Sequence, residues 1–351
     1  MLSTLTEQLR RRENLTGPQV LDAISQLIAE SVSAVAKADF LDALAQKGET
    51  TEEIAAFARN LRELSIQPPL DAETRAREIL DVCGTGGDKL NTFNISTTVA
   101  IICASGGVTV AKHGNRAITS QSGSADVLET LGIRIDLTPE EAARSLKEHH
   151  FAFFFAQKYH PAFKHIGPAR KLCAERGQRT IFNFLGPLMN PVRPSAQLIG
   201  VPRPQLGGPL ARVLQSLGIR RGMVVTGLVP VSGQPAPAHL DEFSTLGETH
   251  VAEFYQDRGF ASSVFKPENH PLQPATLADL AGGDRETNAR IVRRLLAGED
   301  RGPKRDAVLL NAGAALFVAG KVKSFAEGWE LAANLIDSGR ARAQLKALSG
   351  L

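Results

Sequence analysis

The chain has 351 residues, beyond the size at which a single hydrophobic core usually stops growing, so one large domain with a smaller companion is expected. Hydrophobic residues make up 43% and charged residues 22%, a balance that excludes both disordered and fibrous classes. Forty basic against 37 acidic residues leave a formal net charge of +3 with no block of one sign, which argues against a dedicated nucleic-acid binder.

At the N-terminus Glu7, Arg10, Arg11 and Arg12 precede any apolar run, so no secretory leader is expected. The first seventy residues read as helices. Thr16-Gly17-Pro18-Gln19 is a capping-box pattern ahead of Val20, Leu21, Ile24, Leu27 and Ile28 at helical spacing. Gly48 suits a helix stop, and Thr50-Thr51-Glu52-Glu53 opens a second box before Ile54, Phe57, Ala58 and Leu61. Pro68-Pro69 ends the segment as a linker or hinge.

The pattern then changes. Ile79-Leu80-Asp81-Val82-Cys83 is a short strand ending in a glycine loop, a helix is expected from about Ser96 to Ala104, and a strand at Val108 to Ala111. Thr98 to Ala111 is the most apolar stretch, but Ser105-Gly106-Gly107 interrupts it and it is too short to span a bilayer. Val127, Leu128 and Leu131 follow Gly123-Ser124-Ala125-Asp126 at helical spacing, and Phe151 to Phe155 read as a buried strand. Further strands are expected at Leu198 to Val201 and Met223 to Thr226. The stretch Leu228 to Leu240, with Pro230, Pro235 and Pro237, reads as a long surface loop. Helices follow near Asn288 to Leu296, Ala307 to Val318 and Phe325 to Ile336. Strands alternating with helices imply an α/β fold with a mainly parallel sheet flanked by helices. Cys83, Cys103 and Cys173 are dispersed and form no C-x-x-C pair, which favours a reducing cytoplasm over a disulfide framework or cysteine zinc site.

Gly84-Thr85-Gly86-Gly87-Asp88 follows a strand, and Asn94-Ile95-Ser96-Thr97 opens the next helix. Glycines let backbone approach a ligand, and free N–H groups at a helix start favour an anion. A Walker loop is absent, and Lys89 stands where the dinucleotide fingerprint needs glycine. On its own the loop is equally a tight turn. Asp88 would repel a naked anion, so it points to a ligand that carries Mg²⁺ or presents sugar hydroxyls. Phosphoribosyl pyrophosphate (PRPP) does both. Lys112-His113-Gly114-Asn115-Arg116 leaves a strand where an open sheet forms its ligand crevice. Lys112 and Arg116 could neutralise phosphate there, or the segment could be a basic surface turn. Ser124 could cap its helix, bind phosphate, or do both. Cys83 reads as a small buried apolar residue, and His113, His160 and His165 lack metal-ligand spacing.

These motifs, in this order, resemble the anthranilate phosphoribosyltransferases. The likeness continues through Tyr159-His160-Pro161-Ala162-Phe163-Lys164-His165, Arg170, Arg179 to Leu188, Leu240-Asp241-Glu242 and Leu309 to Ala312, and so spans nearly the whole chain. It implies a helical domain (1–70, completed by an inserted segment around 160–195) beside an α/β PRPP-binding domain (71–351). It also implies a homodimer through the helical domain. By residue-to-residue matching, PRPP would be contacted by Gly84, Gly87, Asp88, Thr92, Asn94, Ser96, Thr97, Lys112 and Ser124. Mg²⁺ would be held at Ser96, Asp241 and Glu242, and anthranilate contacted at Gly84, Asn115 and Arg170. Without the resemblance, Asp241-Glu242 could be solvated charges and Arg170 a surface residue.

The implied reaction transfers phosphoribosyl from PRPP to the amine of anthranilate, releasing diphosphate, as in tryptophan biosynthesis. It needs no side-chain nucleophile, and no triad is seen. Two segments depart from the family pattern: 170–179 is a few residues longer, and 228–240 replaces a shorter glycine-containing turn. They leave open a same-fold enzyme with another acceptor or a pyrimidine-nucleoside phosphorylase-like activity. A non-catalytic nucleic-acid-binding relative is disfavoured by the near-neutral charge and the intact loop.

Overall fold

The computed structural model describes residues 2–117, 121–231, 233, 236–256 and 259–350. Helices α1 (Leu2–Arg10), α2 (Gly17–Ile28), α3 (Ala34–Lys47) and α4 (Thr51–Glu63) form an N-terminal bundle. Both expected capping boxes are made: Thr16 N–H donates to Gln19 Oε1 (2.9 Å), and Thr50 N–H to Glu53 Oε2 (2.8 Å). Gly48, at φ +87°, closes α3. Ile24, Leu27, Phe40, Leu44, Phe57 and Leu61 are buried between the helices. Glu53 does more than cap: its buried carboxylate also meets Lys47 Nζ (2.7 Å) and accepts from Leu15 N–H (2.8 Å), so the charge is paired and hydrogen-bonded.

After α5 (Ala72–Ala76) the chain enters the α/β domain through β1 (Ile79–Gly84), α6 (Ile95–Ser105), β2 (Thr109–Gly114), α7 (Ser124–Thr130), α8 (Pro139–His149) and β3 (Phe151–Phe155). It then returns toward the bundle as α9 (Ala156–Tyr159), α10 (Gly167–Glu175) and α11 (Phe182–Leu185). Here α10 docks on α3: Arg176 Nη1 contacts Asp39 (3.0 Å) and Asp42 (2.5 Å), and Cys173 Sγ reaches Ala38 O (3.7 Å).

The sheet is completed by β4 (Ala196–Gly200), α12 (Gly207–Ser216), β5 (Arg221–Val229), β6 (Ala238–Leu240), β7 (Thr249–Tyr255) and β8 (Gly259–Phe265). Four helices follow, α13 (Arg285–Leu296), α14 (Pro303–Val318), α15 (Phe325–Asp337) and α16 (Arg340–Leu348). The strand order is β3-β2-β1-β4-β5-β7-β8, with β6 also on β5. Strands β3 to β5 along this order are parallel, while β6, β7 and β8 are antiparallel. Strands β1, β3 and β4 are buried almost throughout, which is why they read as largely apolar runs, with Asp81 and Gln197 the polar exceptions. Helix α14 is apolar almost all round because it lies inside the main core beside α6 and α15. Among the described residues no helix is long and apolar enough to cross a membrane.

Two expectations are corrected. Strand β2 extends through Lys112, His113 and Gly114, because these residues pair in register with Phe153, Phe154 and Phe155. Leu228 to Leu240 is not loop throughout: β5 runs to Val229, Pro230 then denies it an N–H, and β6 returns with Val229 opposite Ala238 and Gly227 opposite Leu240. Pro235 lies outside the described residues. Helix α8 was not expected, although Thr138-Pro139-Glu140-Glu141 signals it; Thr138 N–H donates to Glu141 Oε2 (2.8 Å).

Candidate active site

The parallel strands β1, β2 and β4 all end in glycine at one edge of the sheet, with Gly84 paired to Gly200 and Gly114 to Phe155. Chains leaving this edge build the crevice. After β1 the loop turns through Gly86 (φ +75°) and Gly87 (φ +85°), and then through Lys89 (φ +63°) and Asn91 (φ +52°). Left-handed backbone at two non-glycine residues in one short loop is the kind of strain that clusters at functional sites. The far end of the loop is tied down by a bridge from Thr92 to Ala281 and by Phe93 N–H donating to Leu280 O (3.1 Å).

Asp241 and Glu242 arrive from the end of β6. Asp241 Oδ2 accepts from Gly86 N–H (2.6 Å), and Glu242 Oε1 accepts from Ser96 N–H (3.2 Å) in the first turn of α6. They are therefore packed against the loop and helix N-terminus, not solvated. Burial pushes the Asp241 carboxyl well above its usual range, and the neighbouring charges of Asp88 and Glu242 push it further. Burial likewise raises Glu242 to about 7, opposed by Lys112 and the Ser96 N–H. Lys112, also buried, donates from Nζ to Val82 O (2.7 Å) and Ser96 Oγ (3.3 Å), which brings one cation near Glu242.

Such crowding is suited to a divalent ion. Among the described residues no three His, Cys, Asp or Glu side chains converge into a complete metal cage. Two carboxylates and a hydroxyl, with the remaining positions left to water or phosphate oxygens, match the way Mg²⁺ is held.

Other expected residues fall around the same crevice. Thr97 is buried in α6, and Asn94 Nδ2 donates to Ser122 O (3.4 Å) across to the α7 entry. Ser124 is not the cap: Gly123 holds that position with Asp126, while Ser124 Oγ donates to Asn115 O (3.3 Å). Asn115 Oδ1 accepts from Arg116 N–H (2.8 Å) and Gln157 Nε2 (3.4 Å). Arg116 is not a free phosphate cation, because its guanidinium is engaged by Asp126 (3.0 Å) and Glu129 (2.9 Å).

Arg170 stands apart from the glycine loop but joins the crevice through a chain of rings. Its guanidinium lies 5.5 Å from the Phe182 ring centre, Phe182 contacts Phe163, Phe163 stacks on His160, and His160 meets His113. Burial lowers the Arg170 pKa, as expected for a cation with little compensating negative charge nearby. His113 Nδ1 lies 3.1 Å from Gly186 O and its Nε2 3.2 Å from His160 Nε2. A carbonyl can only accept, so the Gly186 contact calls for the His113 proton on Nδ1. Burial keeps both neutral, lowering His113 to about 3 and His160 to about 4. Gly200, which leaves room for the Asp241 backbone, went unrecognised in the sequence.

Residues 3–65 match the family described as glycosyl transferase family, helical bundle domain, and residues 76–342 match glycosyl transferase family, a/b domain. A relative from Petrotoga mobilis named anthranilate phosphoribosyltransferase is 43% identical over 99% of this chain and 96% of its own length. The crystal structure of anthranilate phosphoribosyltransferase from Thermus thermophilus superposes with a TM-score of 0.87 at 40% identity, covering 99% of this chain and 98% of that one. The Saccharomyces cerevisiae anthranilate phosphoribosyltransferase, solved in complex with PRPP and Mg, superposes with a TM-score of 0.85 at 27% identity, covering 100% and 98%. The same yeast protein has been solved with 4-fluoroanthranilate (TM-score 0.84, 26% identity, covering 100% and 98%).

Proposed function

The chain belongs to the anthranilate phosphoribosyltransferase family of pentosyltransferases, and from that premise we propose that it transfers phosphoribosyl from PRPP to the amine of anthranilate. The products are N-(5-phosphoribosyl)anthranilate and diphosphate. The observation that carries this reading is the set of carboxylates, Asp88, Asp241 and Glu242, gathered at the glycine loop and the start of α6, with Lys112 near Glu242. A loop that bound only inorganic phosphate, as in phosphorolysis, would be disfavoured by that much negative charge.

In this reading Gly84, Gly87, Asp88, Thr92, Asn94, Ser96, Thr97, Lys112 and Ser124 receive PRPP, and Ser96, Asp241 and Glu242 hold Mg²⁺. Bound Mg²⁺ would supply positive charge to a diphosphate leaving group. The loop N–H groups and Lys112 stabilise the charge that develops as the C1–oxygen bond breaks. Asn115 and Arg170 orient the acceptor, Arg170 through a planar fork matched to a carboxylate. Attack by the amine nitrogen forms the C1–N bond, and the nitrogen then releases its proton. Fixed orientation of the two substrates accounts for much of the rate, so no side-chain nucleophile is needed. Assembly as a homodimer through the helical bundle is part of the same reading.

The test is calorimetry of PRPP with and without Mg²⁺, followed by loss of anthranilate fluorescence on mixing all three. Mg²⁺-dependent binding with turnover is expected. PRPP binding without turnover would leave the donor and remove the acceptor.

A pH dependence follows. Glu242 must be ionised to hold a metal and is raised to about 7, so protons compete with Mg²⁺ below that value. Affinity for Mg²⁺ with PRPP should weaken as pH falls below about 7, approaching about tenfold per unit. PRPP's own phosphates also titrate, so the measurement is the difference in slope between wild type and Glu242→Gln. Equal slopes would contradict the assignment of Glu242.

A further inference from the structure

Asp81 lies in the middle of β1, fully buried, and touches neither the glycine loop nor the carboxylate cluster in any hydrogen bond. Three donors from three separate parts of the chain converge on it. Its Oδ1 accepts from His113 N–H of β2 (3.3 Å), and its Oδ2 from Asn190 Nδ2 (2.9 Å) and Gln197 Nε2 of β4 (3.3 Å).

Each amide partner makes a second bond that extends the clasp. Asn190 Nδ2 also donates to Ala111 O (2.7 Å), while its Oδ1 accepts from Val192 N–H (3.0 Å). Gln197 Nε2 also donates to Pro187 O (2.6 Å). One carboxylate therefore sets the distance between the end of β2 and the segment Gly186 to Asn190. Those two pieces carry the His113 to Gly186 contact and, through His160, Phe163 and Phe182, the seat of Arg170. The hydrogen bonds of the donor side are separate, Asp241 to Gly86, Glu242 to Ser96 and Lys112 to Val82, while the Lys112 charge is near enough to favour the Asp81 carboxylate.

Resting on the acceptor reading above, we propose that Asp81 is a positioning residue for the acceptor amine. Its carboxylate clamps β2 to the Gly186–Asn190 segment and so holds the ring-lined wall on which Arg170 is seated. A neutral amide cannot replace it. Asn190 and Gln197 are held as donors by their carbonyl partners and share one carboxylate oxygen, while His113 N–H takes the other, so an asparagine would turn its own N–H₂ either against His113 N–H or against both side chains.

The test uses the full-length protein and separates acceptor from donor. Asp81→Asn is expected to raise the KM for anthranilate by about tenfold or more, the cost of a buried unmatched donor, with Mg²⁺-dependent PRPP affinity held within about twofold. Gln197→Leu removes one of the three donors and should raise the same KM by about threefold, again sparing PRPP. A general loosening of the fold would move both substrates together, so parallel losses overturn the proposal, as does an unchanged anthranilate KM. Should Asp81→Asn fail to fold, the Gln197→Leu split decides in the same way. Absence of wild-type turnover with anthranilate would overturn the acceptor reading and this proposal together, whereas turnover without the split overturns this proposal alone.

Discussion

Replacing Asp241 by asparagine is expected to lower kcat/KM by about a hundredfold or more while making the metal-free protein more stable. The two effects share one cause. The asparagine oxygen can still accept from Gly86 N–H, so the loop keeps its anchor and only the charge is removed. In the metal-free protein that charge is unfavourable, because burial and the nearby Asp88 and Glu242 all oppose ionisation and raise the carboxyl well above its usual range. The sign of the stability effect follows from that shift. An acid whose pKa is raised by folding contributes stability only below its unfolded value and loses it as pH rises through the folded one, so at neutral pH the wild type is penalised and the variant is not. Turnover with Mg²⁺ and PRPP, set beside a thermal midpoint in chelator, gives both numbers. Unchanged turnover would remove Asp241 from the metal site. A lowered midpoint with lowered turnover would mean that the carboxylate is structural.

The second large effect is expected from adding a single methyl group at Gly200. A Cβ there would fall 1.5 Å from Asp241 O and 2.2 Å from its carbonyl carbon, and a Cβ at Gly84 would fall 2.2 Å from Asp241 Oδ2. The obstacle at Gly200 is backbone, so no side-chain rotation relieves it. Gly200→Ala must push the turn after β6 away from the sheet edge, carrying both Asp241 and Glu242 out of register with the loop and α6. Loss of about a hundredfold or more in kcat/KM is expected, with destabilisation of about 1–3 kcal/mol from overpacking. Gly208→Ala is the control. That glycine is the second residue of α12, with nothing within 4 Å of its added Cβ, so stability and turnover should be retained. Wild-type turnover in Gly200→Ala would show that the two carboxylates need not sit where Gly200 allows them.

Much of the architecture was legible without coordinates. The capping boxes at Thr16 and Thr50, the stop at Gly48 and the phenylalanine run of β3 are local signals, and each depends on residues within one turn or strand. The glycine loop was readable for the same reason, since anion binding by free N–H groups needs only a strand, a turn and a helix start. Asp88 within it pointed to a ligand that carries a cation or presents sugar hydroxyls. What was misread depended on partners far along the chain. Lys112 to Gly114 were placed after a strand because their pairing with Phe153 to Phe155 lies some forty residues away. The proline-rich stretch was read as a loop because β6 is only three residues long and is defined by its bonds to β5. Arg116 looked like a free cation until Asp126 and Glu129 were found around it.

The sequence by itself determined the class of fold, the loop, and the residue types able to handle a metal-bound diphosphate, because these follow from composition, periodicity and short-range geometry. Only the tertiary structure decided that Asp241 and Glu242 are packed against the loop and α6 rather than solvated, that Lys112 is buried against Val82 O and Ser96, and that Asp81 gathers donors from His113, Asn190 and Gln197. The physical reason is that a charge's meaning is set by its surroundings. Burial and neighbouring charge shifted these groups far from their ordinary behaviour, and both come from strands and loops that the chain brings together over more than a hundred residues.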